Sequence, residues 1–304
     1  FGKVDFANLS SEPTFSSPRS ARPESNEGPR RSINLVAPGS RIEMFDPDGR
    51  RIVSSGTSFA APHVAATVAL LQEWGDRKIR SGAANWSLSA REPMVMKAVL
   101  LNSADKLRDS GDGLLLGMSR TLLDEANQTW IDSDAYQDPT IPLHAELGTG
   151  HLNAFRAYQQ FDGGQWSADQ SVPVIGWAYR TASAEPTDYQ DYVFEQPLQA
   201  GSYLSATLAW ERQVALEDSN DNGRYDAGER FTAPALSNLD LYLMPAEATD
   251  LSQSVWSSVS TDDSVEHIFH PIETTGRYKL RVVHRQPTAD VYALAWWAMP
   301  DSPN

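Results

Sequence analysis

Ser55-Gly56-Thr57-Ser58-Phe59-Ala60-Ala61-Pro62-His63-Val64-Ala65 decides how the first half of this 304-residue chain is read. Small residues lead up to Ser58 and alanines crowd the positions after it. Val64, Val68 and Leu71 recur at spacings of four and three, the period of one helix face. This predicts a helix from Ser58 to about Trp74, entered through a small-residue turn. A serine in a first helical turn has two physical uses. The unpaired N–H groups of the helix start face developing negative charge, and the serine's own N–H can hold an oxyanion. An ordinary N-cap serine has the same placement, and spacing alone does not separate the two.

Upstream, Ile33-Asn34-Leu35-Val36-Ala37 is a short apolar run stopped by Pro38-Gly39, which predicts a buried strand ending in a tight turn. Before it, residues 10–31 are rich in Ser, Pro, Arg and Glu and are expected to be irregular. Downstream, a second helix is expected from Glu92 to Ala104, with Pro93 tolerated in its first turn. Gly148-Thr149-Gly150 then punctuates the chain before a short helix at Asn153 to Gln160.

The literal string from Gly56 to Ala65 closely resembles the nucleophile motif of the subtilisin-like serine proteases (subtilases, peptidase S8), Gly-Thr-Ser-Met/Phe-Ala-Ala-Pro-His-Val-Ala. Leu35-Val36-Ala37-Pro38-Gly39 resembles the turn that precedes that motif, and Lys97-Ala98-Val99-Leu100-Leu101-Asn102-Ser103-Ala104 the helix that follows it. Gly148-Thr149-Gly150-His151-Leu152-Asn153-Ala154 is similar to the segment that closes the catalytic domain. The resemblance covers roughly residues 31–160. It implies that residues 1–160 are the C-terminal part of a parallel-sheet α/β domain, with Ser58 as the nucleophile of an endopeptidase acting on proteins or peptides.

In that family the aspartate, the histidine and the oxyanion-hole asparagine all precede the serine. Only 57 residues precede Ser58, and they contain no histidine. The expectation is therefore a processed or truncated chain, beginning at Phe1, whose triad partners belong to an upstream part of its own catalytic domain. Such a chain should be inactive alone. His63, inside the motif helix, and His144, His151, His267, His270 and His284 are expected to be structural or on the surface. The alternative is a non-catalytic calcium-binding or adhesive protein that keeps the serine as a relic.

After residue 170 the texture changes to short runs separated by turns, among them Tyr203 to Trp210, Leu239 to Leu243, Tyr278 to Val283 and Val291 to Trp296. This predicts an all-β sandwich over residues 161–304. A loop in it, Asp218-Ser219-Asn220-Asp221-Asn222-Gly223-Arg224-Tyr225-Asp226-Ala227-Gly228-Glu229, satisfies the calcium pattern D-x-[DN]-x-[DN]-G-x5-E. Asp218, Asn220 and Asn222 would supply side-chain oxygens and Arg224 its carbonyl. Asp226 would bind directly or through water, and Glu229 with two oxygens. Strands rather than helices are expected to flank the loop. Over about residues 172–299 the chain resembles the jelly-roll-like C-terminal sandwich of certain secreted alkaline subtilases. Asp240 and Glu266 are expected to be exposed strand residues.

Composition narrows the remaining classes. With no cysteine, disulfides, thiolate metal sites and thiol catalysis are excluded. Residues 1–160 hold 19 acidic against 17 basic side chains, and residues 161–304 hold 21 against 8. That excess argues against a nucleic-acid partner. The apolar stretch Tyr292 to Met299 is far short of the ~20 residues that span a bilayer, so no membrane partner is expected. Together with the calcium loop this points to a secreted or extracellular bacterial-type protein, with the periplasm and cell surface as variants.

Overall fold

The computed structural model describes residues 9–10, 14–15, 30–31, 33–182, 188–211, 215–232, 237–285 and 291–301. Most of the irregular segment expected at 10–31 lies outside them. Three helices organise the first half. Helix α1 spans Thr57–Arg80 and closes with Arg77, Lys78 and Arg80, cations that complement the carbonyl end of the helix. Helix α2 spans Pro93–Asn102, with proline in the first turn where its missing N–H costs nothing. Helix α3 spans Ala154–Asp162, and the Asn153 side chain caps it by accepting the Arg156 N–H at 3.0 Å.

The run at 33–37 forms short bridges rather than a full strand. Val36 N–H donates to Gly150 O at 2.9 Å, Leu152 N–H donates to Val36 O at 2.8 Å, and Asp105 and His151 exchange two bonds of 2.8 Å. Three separated pieces of sequence are thus stitched together beside α1 and α2. Glycine is required at two of the junctions. Gly148 and Gly150 have φ of +59° and +132°, and a Cβ on either would lie 2.2 Å from the backbone oxygen of Asn34 or Asp105.

Between Gly39 and Gly56 the chain makes a hairpin that the sequence reading did not anticipate. Strands β1 (Ile42–Phe45) and β2 (Arg51–Ser54) pair antiparallel across Asp46-Pro47-Asp48-Gly49. The Asp46 carboxylate accepts the N–H groups of Asp48 and Arg50, the side-chain-to-backbone bonding that makes Asp a turn residue.

Residues 175–297 supply two four-stranded antiparallel sheets. Their strands are β3 (Ile175–Thr181), β4 (Tyr189–Val193), β5 (Tyr203–Trp210), β8 (Leu239–Pro245), β9 (Trp256–Ser258), β10 (Val265–Pro271), β11 (Tyr278–His284) and β12 (Val291–Trp297). A separate hairpin, β6 (Ala215–Glu217) with β7 (Arg230–Thr232), carries the candidate calcium loop. One sheet has the order β9-β8-β11-β4 and the other β10-β5-β12-β3. A single buried cluster holding Leu208, Trp210, Leu241, Leu280, Leu294 and Trp296 joins their facing sides.

The second sheet is buried on both faces. Along β5, Leu204, Ala206, Leu208 and Trp210 enter the cluster between the sheets, while Ala209 joins the cluster built by α1, α2 and α3. Along β12, Tyr292, Leu294 and Trp296 alternate with Ala293 and Ala295 in the same way. The small residues on the outer face let α2 lie close to the sheet. A parallel α/β sheet, expected for the first half, is not found among the described residues. Parallel pairing there is confined to isolated bridges such as Val36 with His151, and α2 and α3 pack instead on an antiparallel sheet.

Candidate active site

Ser58 is exposed in the first turn of α1. No side chain caps this helix start, so its free N–H groups point outward around the hydroxyl. Gly56 N–H donates to Gly39 O at 2.8 Å, which closes the β1–β2 hairpin and pins the Pro38-Gly39 turn beside the serine. Ser55 Oγ accepts the Arg41 N–H at 2.7 Å and fastens the same neck. The order turn, hairpin, serine, helix therefore delivers a nucleophile-type side chain at a helix N-terminus.

A hydroxyl needs a base, and the described histidines are engaged elsewhere. His63 lies on α1 with Nδ1 2.8 Å from Phe59 O, so that nitrogen is held by its own helix. His144 Nδ1 accepts the N–H groups of Glu146 and Leu147, which fixes the remaining proton on Nε2, 3.6 Å from Asp124. Burial lowers the affinity of His151 for a proton, to a pKa of about 3. His267 is buried in the core and bonded to Thr207 Oγ1, His284 is buried, and His270 stacks on Trp256.

Around Ser58, α1 is covered on one side only. Ala61, Ala65, Ala66, Ala69 and Leu70 are exposed, the last at 68%. A hollow of about 650 Å³ runs along the flank of α1 between Leu35, Val64, Val68 and Met96. Another, of about 390 Å³, lies between Leu70, Trp74, Phe155 and Tyr158. In the wall of the larger hollow Lys97 is half-buried, and desolvation with help from Arg30 lowers its pKa.

The 218–229 loop is exposed and tied by its own oxygens. The two carboxylate oxygens of Asp218 accept N–H bonds from Asn220, Asn222 and Gly223. Glu229 accepts from Ser219 and Asp226, and Asp226 accepts the side-chain amides of Asn220 and Asn222. Backbone N–H bonds hold the pKa values of Asp218 and Glu229 below the ordinary carboxylate range. Arg224 N–H donates to Asn222 Oδ1 at 2.7 Å. Gly223 has φ +72°, the left-handed turn that the pattern requires of its glycine. The donor set therefore suits a hard cation, although among the described residues no three carboxylate or imidazole groups already converge as a metal site.

Asp240 and Glu266 are buried, not exposed as expected. Arg285 Nε donates to Asp240 Oδ2 at 2.6 Å and Tyr242 Oη donates to the same oxygen at 2.9 Å, so charge pairing accounts for its burial. Glu266 accepts from Ser258 Oγ and from Ser260 N–H, and desolvation raises its pKa well above the ordinary value.

Sequence reasoning also missed the polar groups that position the motif segments. Asn102 ends α2 and donates to Gln160 Oε1 at 2.7 Å, while its Oδ1 accepts from Ser205 Oγ at 2.9 Å and Thr207 Oγ1 at 3.2 Å. Asp105 receives Asn153 Nδ2 and pairs with buried Arg156 at 3.3 Å. For Asn102 the signal was a polar residue at an otherwise apolar helical position.

Residues 9–119 match the model of the subtilase family, peptidase S8. Over 83 residues the chain is 32% identical to an intracellular serine protease of Paenibacillus polymyxa, a stretch covering 27% of this chain and 24% of that protein. The match thus spans about a quarter of that relative's length. Ser58, the β1–β2 hairpin, α1 and α2 all lie inside the family-model match, and the two sheets lie outside it.

Proposed function

We propose that the protein is a subtilisin-like serine endopeptidase in which Ser58 is the nucleophile. The observation that carries this reading is an exposed serine at an uncapped helix start, within a stretch that matches the subtilase family. Ser58 Oγ would attack a peptide carbonyl carbon, pass its proton to a base and expel the amine to leave an acyl-enzyme, which water then hydrolyses. The Ser58 N–H would donate to the oxyanion.

The base and its aspartate would come from an upstream part of the same catalytic domain, because among the described residues no histidine is hydrogen-bonded to Ser58. That part would also cover the exposed face of α1. On this reading the 304 residues alone are inactive, since a protonated hydroxyl without a base loses on the order of 10⁴-fold in rate. The two sheets, whose consecutive strands mostly change layer, would form a jelly-roll-like sandwich that supports the catalytic part.

Fluorophosphonate labelling with peptide mapping tests the assignment. Labelling at Ser58 is expected when the chain is joined to a subtilase segment bearing the aspartate and histidine, and none is expected after Ser58→Ala. Absence of labelling from the joined protein would make the serine a relic and favour the binding or adhesive alternative.

Calcium held by Asp218, Asn220, Asn222, Arg224, Asp226 and Glu229 would order the loop and hold its like charges together. Terbium luminescence is the test, since Tyr225 lies within the loop as a sensitiser. Sensitised emission should rise with terbium, fall when calcium competes, and vanish in Glu229→Gln. A secreted location follows from the same reading. The Paenibacillus relative is named as intracellular, so fractionation of the source cells decides it for this chain.

A further inference from the structure

Where α1 ends, far from Ser58, a third hollow of about 450 Å³ opens between the turn at 85–87, the segment 165–170 and β3. About 22 helical residues separate it from the serine, roughly 33 Å at 1.5 Å per residue. Its walls combine two kinds of surface. Trp86, Trp166 and Tyr179 are half-buried aromatic rings, and Asn85, Gln165 and Gln170 are neutral amides.

The walls are fixed in place. Gln165 N–H donates to Asn85 O at 2.8 Å, and Ser87 Oγ donates to Gln165 Oε1 at 2.6 Å. Trp86 stands edge-on to Phe161 and Trp177, with ring centres 4.9 and 5.9 Å away. Trp166 Nε1–H donates to Gly163 O at 2.8 Å. The side-chain amides of Asn85 and Gln170 make no hydrogen bond among the described residues.

Charge then selects the ligand. The guanidinium of Arg180 is already paired with Asp169 at 3.0 Å and bonded to Ser167 at 3.2 Å. Glu92 adds a negative charge near the Tyr179 hydroxyl. Among the described residues no free cation lines the hollow to hold a phosphate or carboxylate. Rings that offer flat apolar faces, beside amides and hydroxyls that donate and accept, suit a molecule with an apolar ring face and a rim of neutral hydroxyls. The volume lies within the ~300–1,000 Å³ of small-molecule sites.

We propose that this hollow binds a neutral saccharide, of one or two sugar units, through ring stacking on Trp86 and Trp166 and amide bonds from Asn85 and Gln170. The site does not depend on the chemistry of Ser58. It would attach the protein to a glycan-bearing surface or substrate while leaving the nucleophile free.

The test is a titration of the 304-residue chain with maltose, cellobiose, lactose and N,N′-diacetylchitobiose, followed by tryptophan fluorescence and saturation-transfer NMR. Sialyllactose, inorganic phosphate and a proline-rich peptide serve as competitors. Saturable binding of at least one neutral disaccharide is expected. Asn85→Gly, which keeps the left-handed backbone at φ 59°, and Gln170→Ala should each weaken it between about twofold and tenfold with unchanged circular dichroism. No saturation by any of the four sugars overturns the proposal. So does binding that both variants leave unchanged, or a preference for phosphate, sialyllactose or the peptide.

Discussion

Helices α1 and α2 both lie in the stretch that matches the subtilase family, yet they are solvated very differently. Val95, Met96 and every residue from Ala98 to Asn102 of α2 are buried, whereas α1, with 24 residues, buries only Ala60, Thr67, Leu71 and Gly75. The difference comes from what each helix faces. The second sheet presents Ala209, Ala293 and Ala295 to α2, and small side chains permit close contact over the whole length of the helix. In the N-terminal half of α1, Ala61, Ala65, Ala66 and Ala69 are exposed, with nothing packed over them among the described residues. A helix lined with small residues needs a flat partner to gain anything from them, so the exposed stripe on α1 marks the side of the molecule that our functional reading requires to be covered.

The widest separation of the two helices should appear in paired leucine truncations. Leu101 is 2% exposed on α2 and Leu70 is 68% exposed on α1. Leu101→Ala should cost about 2–5 kcal/mol in urea unfolding, and Leu70→Ala should stay within about 0.5 kcal/mol. Equal losses would break the comparison, because they would mean that α1 is packed in solution. If the chain is joined to a segment that covers α1, the cost of Leu70→Ala should rise while that of Leu101→Ala stays put.

A smaller loss is expected at Asn102, where α2 meets the sheet through polar groups. Removing the side chain in Asn102→Ala leaves Gln160 Oε1 without its buried partner, while Ser205 Oγ keeps the Asn102 carbonyl and Thr207 Oγ1 keeps His267. Unpaired buried groups of this kind cost about 1–3 kcal/mol. Denaturation should show the loss with an unchanged dependence on urea. A neutral result would show that water replaces the amide, and that the two halves are joined by apolar contact alone.

These two sites also show how much the sequence revealed. The strands at 203–210 and 278–284 were legible as short apolar runs bounded by turns. Both α1 and α2 announced themselves through spacings of three and four. The placement of Ser58 at a helix start was legible through its neighbours, small residues before it and alanines after it. The β1–β2 hairpin was missed although Asp46-Pro47-Asp48-Gly49 is a turn signal, because its strands carry exposed apolar residues, Phe45 at 75% and Val53 at 57%, that blur the alternation. Long-range partners such as Asn102 with Ser205, or Asp105 with Asn153 and Arg156, leave no local pattern. For Glu266 the sequence pointed the wrong way, because the serines that satisfy it, Ser258 and Ser260, lie on a neighbouring strand and turn.

The subtlest expected effect, and the one that isolates the sheet side from the Ser58 side, is a pH dependence at Glu266. Desolvation raises its folded pKa well above 4.5, so between 4.5 and that raised value the folded chain binds a proton that the unfolded chain has released. Stability from this group is therefore complete below about pH 4.5 and falls as pH rises through the window. Glu266→Gln replaces the carboxyl with an amide that cannot ionise and can still accept the Ser260 N–H. The melting temperature of the variant should accordingly fall less steeply than that of the unsubstituted chain between pH 5 and 8, and the two curves should meet toward acid. Asp263, also raised by burial, and Asp240 face the same pocket, but both are present in each protein and cancel in the difference. Parallel curves would mean that Glu266 stays ionised when folded, with its serine bonds offsetting the desolvation. Because α1 lies away from this pocket, covering it should leave the difference unchanged.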